Sequence, residues 1–323
     1  MRVLITGVNG FVGSHAAEFL HQVPGVELFG TVFTEDRSQP AGPIPDDRMR
    51  RLDVTHDADV AALVDDVRPD RIIHLAGQAF VPDSVHDPSA TFRANILGGI
   101  SFLEAVRTHQ EQTGHTVSLL VISTGDVYGR VPVEQQPITE DIPLNPANPY
   151  AASKAAIDII AQQYRRSFGL NVHVARPFNH IGPRQSPVFV CSDFARQVAE
   201  IRVGRREPVM RVGNIGSMRD FTDVRDVVRA YWMLLEAHPE QCVFNVCSGT
   251  PVRIADILDL LVRMSGAAVT VTTDPHRLRH YDTPVVAGSH ERLTRATGWV
   301  PRIPLEETVR TVLSYWTDRV NAS

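Results

Sequence analysis

Cysteine is scarce in this 323-residue sequence, which contains only Cys191, Cys242 and Cys247. Three cysteines cannot build the disulfide framework of a small secreted domain, and these three do not form a convincing metal-binding pattern. A free cysteine usually behaves as a small buried apolar residue. The sequence therefore predicts reduced thiols in or near the core of a cytoplasmic protein, and no metal site.

Long apolar runs and basic clusters are also missing. No apolar run approaches the roughly 20 residues that cross a membrane, and the net charge is −5 without any lysine- or arginine-rich block. Neither a membrane nor a nucleic acid is therefore an expected partner. The sequence enters a predicted strand at once, in MRVLITG, which predicts that no signal peptide is present. Arginine far outnumbers lysine, and this draws attention to Lys154.

Short β-rich runs alternate with amphipathic helix-length segments through the first 180 residues. The predicted strands read RVLIT, VELFGTVF, RIIHLAG, SLLVIS and NVHVARP. Strands that alternate with helices indicate βαβ units and a parallel sheet, and continuous apolar runs such as SLLVIS indicate strands covered on both faces. We therefore predict an α/β fold with a doubly wound parallel sheet of the Rossmann type.

The alternation loosens after residue 180, which predicts a smaller C-terminal α/β domain. We expect the first domain to comprise residues 1–176 and a returning segment near 219–246. Residues 177–218 and 247–323 then form the second domain.

Three glycines lie where the first predicted strand turns into the first predicted helix. Gly7, Gly10 and Gly13 fall in RVLITGVNGFVGSH. Such a turn needs glycine where φ is positive or where a Cβ atom would block a pyrophosphate, and the helix N-terminus then offers unpaired N–H groups to the phosphates. A tight turn without a ligand is the alternative, but the strand before it and the helix after it favour a dinucleotide site.

The end of the second strand bears on which dinucleotide binds. NAD-binding proteins usually place an acidic residue there, about 20 residues beyond the glycines, to hold the ribose hydroxyls. Here Val32 or Phe33 takes that place, and acidic residues come only later, beside Arg37. A missing acid near an arginine slightly favours the 2′-phosphate of NADP(H), and NAD(H) stays open.

Tyr150 and Lys154 lie four residues apart in PYAASK, at the start of a predicted helix. Residues at this spacing share a helix face, with Cβ atoms roughly 6 Å apart. An ammonium near a phenol lowers the phenol's pKa from about 10 toward working pH. Such a tyrosine can exchange a proton with a carbinol oxygen while hydride moves to or from a nicotinamide. An exposed tyrosine beside a solvated lysine is the alternative.

Four motifs, TGxxGxxG, HLAGQ, STGDVYG and YxxxK, occur in this order along the chain. Together they resemble the extended short-chain dehydrogenase/reductases that act on nucleotide-sugars. The resemblance implies a Rossmann domain, a C-terminal sugar-nucleotide domain and a catalytic set of Thr124, Tyr150 and Lys154, with Ser123 as a weaker candidate than Thr124. It also implies a homodimer formed through the helix that carries Tyr150 and a neighbouring helix.

The resemblance extends the candidate cofactor-binding set to backbone and side chains along the first domain. Asp53 could contact the adenine, or it could cap the helix that follows it. The set is Gly7, Gly10, Phe11, Val12, Gly13, Arg37, Asp53, Val54, Leu75, Ala76, Gly77, Tyr150, Lys154 and Pro177.

The residues after Thr124 separate two reactions of the family. Dehydratases that resemble this chain follow the threonine with a residue and then glutamate, often Asp-Glu, to remove the C5 proton and expel the C6 hydroxyl. Here these places hold Gly125 and Asp126. Aspartate is one methylene shorter, about 1.5 Å of lost reach, and acid–base chemistry needs contacts of roughly 2.6–3.2 Å. The site is therefore expected to catalyse the redox step between ketone and alcohol but not the elimination of water. Asp126 is expected either to contact the substrate or to stabilise its loop.

Later runs, RPFNHIGPRQSPVFV, SMRDFTDVRDV and GSHERLTRATGWVPRIPLEE, resemble the GDP-mannose branch of the family. Within that branch Asn179, Arg219 and Arg279 would bind the substrate diphosphate and Asp282 the ribose. Arg184 departs from the branch, which often has glycine there. The candidate substrate-binding set is Gln78, Thr124, Asp126, Asn179, Arg184, Val190, Arg219, Arg279 and Asp282.

The activity implied by this resemblance is the NAD(P)H-dependent reduction of the C4 ketone of GDP-4-keto-6-deoxy-D-mannose to GDP-D-rhamnose. Two alternatives stay open. One is a nucleotide-sugar 4-epimerase or GDP-mannose 4,6-dehydratase that recycles its cofactor. The other is a non-catalytic cofactor-binding sensor or scaffold.

Overall fold

The computed structural model describes residues 1–34, 42–277 and 283–322. The strands within these ranges are β1 (Arg2–Thr6), β2 (Glu27–Val32), β3 (Met49–Arg51), β4 (Arg71–His74), β5 (Ser118–Ile122), β6 (Val172–Pro177), β7 (Asn179–Ile181), β8 (Val209–Val212), β9 (Met218–Asp223), β10 (Val243–Val246), β11 (Pro251–Arg253), β12 (Thr270–Thr273) and β13 (Val285–Val286).

The α-helices within the same ranges are α1 (Phe11–His21), α2 (Asp57–Val67), α3 (Val81–His86), α4 (Pro88–Phe92), α5 (Gly98–Thr113), α6 (Pro149–Phe168), α7 (Val190–Arg202), α8 (Val224–Ala237), α9 (Ile254–Ser265), α10 (Glu291–Thr297) and α11 (Leu305–Ala322). A π-helical turn, Arg93–Leu97, joins α4 to α5. None of these helices is both long enough and apolar enough to cross a membrane.

A sheet of seven parallel strands forms the centre of the protein, in the order β10-β6-β5-β4-β1-β2-β3. The order from β3 through β1 to β6 is that of the doubly wound Rossmann sheet, so the predicted fold class is confirmed. Strands at the centre of the sheet, such as β5 with all five residues buried, are covered by helices on both faces. In β1, Val3 and Ile5 pack into the core beneath α1 and α8, while Leu4 packs into the core beneath α2 and α5.

A second core lies between α7, α9 and α11, which enclose apolar residues of β8 and β9. In a small sheet beside them, β9 pairs with β7, β11 and β13, and a separate two-stranded sheet pairs β8 with β12. The chain returns to the central sheet through α8 and β10, and β10 pairs with β6. Because β9 belongs to the small sheet, only the later part of the predicted returning segment joins the central one. The predicted domain boundaries otherwise stay a prediction.

The loops that carry the sequence motifs all leave the carboxyl ends of central strands. The glycine-rich turn follows β1, HLAGQ follows β4, STGDVYG follows β5, and the segment with Asn179 follows β6. In an open parallel sheet, ligands bind at this edge, where the strand order reverses. The fold therefore brings together motifs that lie more than 170 residues apart in sequence.

Candidate active site

The glycine-rich turn is shaped to let a ligand approach its backbone. Gly7 has φ +66°, and a Cβ atom there would lie 3.1 Å from the Cα atom of Ala76. A Cβ atom on Gly13 would lie 2.4 Å from the carbonyl oxygen of Gly7, so α1 packs against the turn only because no side chain intervenes. Gly10 is the N-cap of α1 and has no capping side chain. The N-terminus of α1 is thus suited to hold a pyrophosphate.

Thr6 fixes the adjoining turn after β4. Its hydroxyl oxygen accepts hydrogen bonds from the backbone N–H groups of Leu75 and Ala76, each at 3.0 Å, and contacts Nδ1 of His74 at 3.0 Å. Burial, and then the nearby Lys154, lower the pKa of His74 to about 3. The neutral imidazole completes this buried polar cluster. Sequence reasoning missed both Thr6 and His74, because only the pairing of β1 with β4 brings them together.

Asn95 holds the next residues of the same turn. Its side chain accepts from the backbone N–H of Gln78 at 2.8 Å and donates to the Gln78 carbonyl at 2.9 Å. A Cβ atom on Gly77 would lie 2.6 Å from the Asn95 side-chain oxygen, so this position needs glycine. The predicted contact segment Leu75–Gln78 is therefore held from behind by a residue of the π-helical turn that no motif indicated.

Asp53 does not cap helix α2. The N-cap of α2 is His56, and the Asp53 carboxylate instead accepts hydrogen bonds from the backbone N–H and hydroxyl of Thr55, at 2.9 and 2.8 Å. These bonds lower the pKa of Asp53. The alternative of a helix cap is therefore wrong, and an adenine contact stays a prediction. Val54 is buried beneath Gly98 of α5, and Arg37 lies outside the described residues.

Thr124, Tyr150 and Lys154 come together where β5 ends and α6 begins. The Asn148 side chain caps α6 by accepting from the N–H of Ala151 at 2.8 Å, which fixes the helix start at Pro149. A hydrogen bond joins the hydroxyls of Thr124 and Tyr150. Lys154 is buried and donates from Nζ to the carbonyl of Ile122 at 2.9 Å.

Ser123 faces away from this group. Its hydroxyl is buried and lies 3.4 Å from the carbonyl oxygen of Lys154, to which it donates a long hydrogen bond. Thr124, whose hydroxyl meets that of Tyr150, is the better placed of the two.

The electrostatics of this group correct one expectation. We predicted that Lys154 lowers the pKa of Tyr150, but burial and the nearby Asp126 carboxylate raise it, and only the Thr124 hydrogen bond acts in the opposite direction. Burial lowers the pKa of Lys154 to about 8. The amine is directed to a backbone carbonyl at the end of β5 rather than to the phenol. At neutral pH the site thus holds a protonated phenol and an ammonium group.

Gly125 and Asp126 occupy a short 3-10 turn that begins at Thr124. A Cβ atom on Gly125 would lie 3.0 Å from the ring of Phe178, which is buried beneath it. Asp126 is exposed, and its charge acts on Tyr150. A side chain at position 125 would therefore press against the Phe178 ring, while the Asp126 carboxylate lies near the phenol.

The remaining predicted site residues, which are substrate candidates and the cofactor candidate Pro177, come from several elements. Asn179 is exposed at the start of β7, Pro177 ends β6 and Val190 begins α7. Arg219 donates from Nη1 to the carbonyl oxygens of Met218 and Thr283, at 2.8 and 2.7 Å. Arg279 and Asp282 lie outside the described residues.

Arg184 lies against helix α1, and its predicted contact with the substrate stays a prediction. Its guanidinium forms a two-pronged ion pair with Glu18 of α1, at 2.6 and 2.7 Å, and also contacts His15. It therefore lies against the helix that begins at the glycine-rich turn. The reason is geometric, because the loop after β7 runs directly over α1.

A buried ion pair supports the group from below. Arg176 of β6 meets Asp158 of α6 at 2.7 and 3.0 Å, and it donates to the Tyr128 hydroxyl at 2.8 Å. Tyr128 in turn donates to the side chain of Asn245 at 2.7 Å. Among the described residues, no group of three His, Cys, Asp or Glu side chains is arranged to hold a metal ion.

A Rossmann sheet with a glycine-rich turn, a threonine hydrogen-bonded to a tyrosine, and a buried lysine on the same helix defines the class of nicotinamide-dependent short-chain dehydrogenase/reductases. Within it, the family model for GDP-mannose 4,6 dehydratase matches residues 4–312. The chain belongs to this family.

Relatives of different activity resemble the chain over its length. GDP-6-deoxy-D-mannose reductase of Pseudomonas aeruginosa is 37% identical over 321 residues, which span 99% of this chain and 98% of that protein. The structure of RMD from Pseudomonas aeruginosa complexed with NADPH has a TM-score of 0.85 at 36% identity, covering 98% of this chain and 99% of that one. The structure of UDP-glucose 4-epimerase of Thermus thermophilus, in complex with NAD, has a TM-score of 0.84 at 32% identity. The match covers 98% of this chain and 99% of that one.

Proposed function

We propose that this protein reduces the C4 ketone of GDP-4-keto-6-deoxy-D-mannose to GDP-D-rhamnose with NADPH as reductant. The observation that carries the proposal is an intact Thr124–Tyr150 hydroxyl pair beside Gly125, a position that has no acidic side chain and is packed tightly against Phe178. The similarity to a GDP-6-deoxy-D-mannose reductase over 99% of the chain supports it.

The cofactor fits the first domain at the glycine-rich turn. Gly7 and Gly13 leave the space that a Cβ atom would fill, and α1 presents its N-terminus there. NADPH, when bound, supplies the hydride for C4. The similarity to a reductase complexed with NADPH supports NADP(H), and Arg37 stays a predicted contact for the 2′-phosphate.

The catalytic residues supply the proton and the polarisation. Tyr150 donates its hydroxyl proton to the C4 oxygen, and its raised pKa keeps that proton in place at neutral pH. Thr124 donates a hydrogen bond to the same oxygen and polarises the ketone. Lys154, charged below a pKa of about 8, stabilises the negative charge left on the phenol and holds the ribose hydroxyls.

A direct assay tests the proposal. Purified protein is mixed with GDP-4-keto-6-deoxymannose and either NADPH or NADH, the absorbance at ~340 nm of the reduced nicotinamide is followed, and the product sugar is determined by NMR. We expect oxidation of NADPH and formation of GDP-D-rhamnose. An axial or equatorial hydroxyl at C4 in the NMR spectrum decides the stereochemistry. GDP-mannose without reductant should remain unchanged, whereas a dehydratase would consume it.

Replacing Tyr150 with phenylalanine should lower turnover by ~10²–10⁴-fold, because the proton donor is lost. Tyr164→Phe is the matched control, since it removes a phenolic hydroxyl from the same helix α6, where Tyr164 hydrogen-bonds Glu104. The control should keep turnover near that of the wild type. A Tyr150→Phe variant that reduces the ketone at the wild-type rate contradicts the assignment.

The expected homodimer is also a proposal. It is supported by a stripe of small or apolar side chains on α6, in which Ile159 is 53% exposed. A cytoplasmic location is supported by three free thiols, all of them buried or half-buried.

A further inference from the structure

The loop after β7 is joined to helix α1 by what we call the loop–α1 cluster, formed by Glu18, His15 and Phe11 of α1 with Arg184 and His180. Arg184 Nη1 and Nη2 meet the two carboxylate oxygens of Glu18 at 2.6 and 2.7 Å. The rings of Phe11 and His180 stack with centroids 5.9 Å apart and planes 4° apart. Both contacts bridge the segments that the proposed function assigns to cofactor and substrate.

His15 adds a second link with a defined tautomer. Its Nδ1 lies 3.0 Å from Nη2 of Arg184, and its Nε2 lies 2.9 Å from the carbonyl oxygen of Pro183. A guanidinium group only donates hydrogen bonds and a carbonyl only accepts them. His15 therefore carries its proton on Nε2 and is neutral, which agrees with the lowering of its pKa by burial and by Arg184.

Arg184 has a backbone conformation that is unfavourable for a residue with a side chain. Arg184 has φ +71°, in the left-handed region that glycine adopts more readily than any other residue. Glycine would therefore fit this backbone with less strain. The two-pronged ion pair with Glu18 is the contact that glycine would lose.

Side-chain hydrogen bonds connect the part of the loop next to Arg184 with both ends of the loop. The Gln185 side chain donates to the carbonyl of His180 at 2.9 Å, and the Ser192 hydroxyl donates to the carbonyl of Gln185 at 2.6 Å. These bonds brace the segment from Asn179 to Val190. At the other side of the cluster, Phe11 follows the Gly10 N-cap where the pyrophosphate is expected.

We infer that Arg184 is a positioning residue whose ion pair with Glu18 makes dinucleotide binding on α1 and sugar-nucleotide binding on residues 179–190 depend on each other. The inference rests on the proposed function for the identity of the two ligands. When one ligand fixes its side of the cluster, the other side is already in place for the second ligand. Coupling of this kind is reciprocal and typically changes affinity by about 5–150-fold.

Calorimetric titration of NADPH, with and without saturating GDP, measures this coupling without turnover. In the wild type we expect GDP to lower the Kd of NADPH by about fivefold or more. Arg184→Gly and Glu18→Gln should each reduce this effect to less than about twofold, and the double variant should lose no more than either single one. Arg184→Lys should restore part of it, since lysine keeps the charge but not the fork.

The controls separate coupling from folding. Arg184→Gly relieves the positive φ, which offsets part of the lost ion pair, so its Tm should stay close to that of the wild type. Arg206→Met is matched to it, because the Arg206–Glu200 pair at 2.9 Å is similarly half-buried but lies within the second domain. This variant should keep the wild-type GDP effect.

Two results overturn the inference, namely a full GDP effect in Arg184→Gly or no GDP effect in the wild type. Wild-type turnover of the 4-keto sugar is measured in parallel. Turnover without coupling refutes only the role of Arg184, and coupling without turnover refutes only the proposed reaction.

Discussion

Lys154 combines two properties that define its chemistry, since it is the only lysine in the sequence and it is 9% exposed. The Ile122 carbonyl accepts its hydrogen bond, and in the part of the chain that the structure describes burial alone acts on its pKa and lowers it to about 8. The pKa of Tyr150 is raised instead, which favours the protonated phenol. Below about pH 8 the pair thus offers a proton to give and a positive charge to stabilise what remains, as ketone reduction requires.

Lys154 should titrate near pH 8 instead of its usual ~10.4, because burial disfavours the ammonium. Lysine labelled with ¹³C at Cε gives one side-chain NMR signal in this protein, so the midpoint needs no assignment. Ketone reduction should slow over the same range as pH rises, since the charge is lost. A midpoint near 10 would show that the amine is solvated.

Lys154→Met separates stability from catalysis. In the wild type the folded pKa lies below the unfolded one, so the charged amine destabilises the fold, and stability rises with pH from about 8 to ~10.4 as the folded form loses its proton first. Methionine should add on the order of 1–3 kcal/mol to the free energy of unfolding at pH 7, less at pH 10, and abolish most turnover. Urea unfolding at the two pH values measures the difference.

Sequence patterns predicted the residues whose contacts are to neighbours in the sequence. Gly7 and Gly13 belong to one turn, and Tyr150 and Lys154 to one helix, so spacing alone predicted their proximity. It did not reach Thr6, His74 or Asn95, whose contacts join parts of the chain separated by 17 to 70 residues. It also did not predict the contact of Arg184 with α1, because the crossing of the β7 loop over α1 is a tertiary feature.

Helix α6 owes its position to a buried ion pair as well as to apolar packing. Asp158 lies one turn beyond Lys154, and its carboxylate binds Arg176 of β6 through two hydrogen bonds. Arg176 also binds Tyr128 at the end of the STGDVYG segment. One guanidinium thus connects the helix that carries Tyr150 with the loop that begins at Thr124, which explains how two separate elements keep their hydroxyls in contact.

Asp158→Asn should lower the free energy of unfolding by about 3–5 kcal/mol, because it leaves the Arg176 charge buried without a counter-charge. The side chains of the pair are 0% and 4% exposed, so water cannot replace the lost partner. Urea unfolding followed by circular dichroism measures the change.

Two further variants test whether the loss of stability comes from the unpaired charge. Replacing both partners, as Asp158→Leu with Arg176→Met, should cost far less than the single change, since no charge stays unpaired. Glu306→Gln breaks the exposed pair with Arg310 on α11 and should cost under about 1 kcal/mol. A single variant as stable as the wild type would mean that the ion pair contributes nothing to α6.

The protein as a whole has apolar cores on both faces of the central sheet and a separate core enclosed by α7, α9 and α11. Parallel alternation predicted the central sheet because each βαβ unit is local in sequence. The small sheet around β9 was not predicted strand by strand, since its partners β7, β11 and β13 come from three separate segments.

Helix α6 has an outer face that the described residues leave uncovered, where Ala152, Ala156 and Ile159 are partly or fully exposed.

Ile159→Lys should convert the protein from a dimer to a monomer, because it places a charge in the apolar stripe of α6 that we expect a second copy to cover. Light scattering after gel filtration should change from twice 35.7 kDa to 35.7 kDa. Val133→Lys is the control, since Val133 is similarly exposed at 55% but lies in a short 3-10 helix outside α6. NADPH should still bind the monomer, because the glycine-rich turn belongs to a different element. A wild type that is already monomeric, or an Ile159→Lys variant that stays dimeric, would move the subunit contact away from this helix.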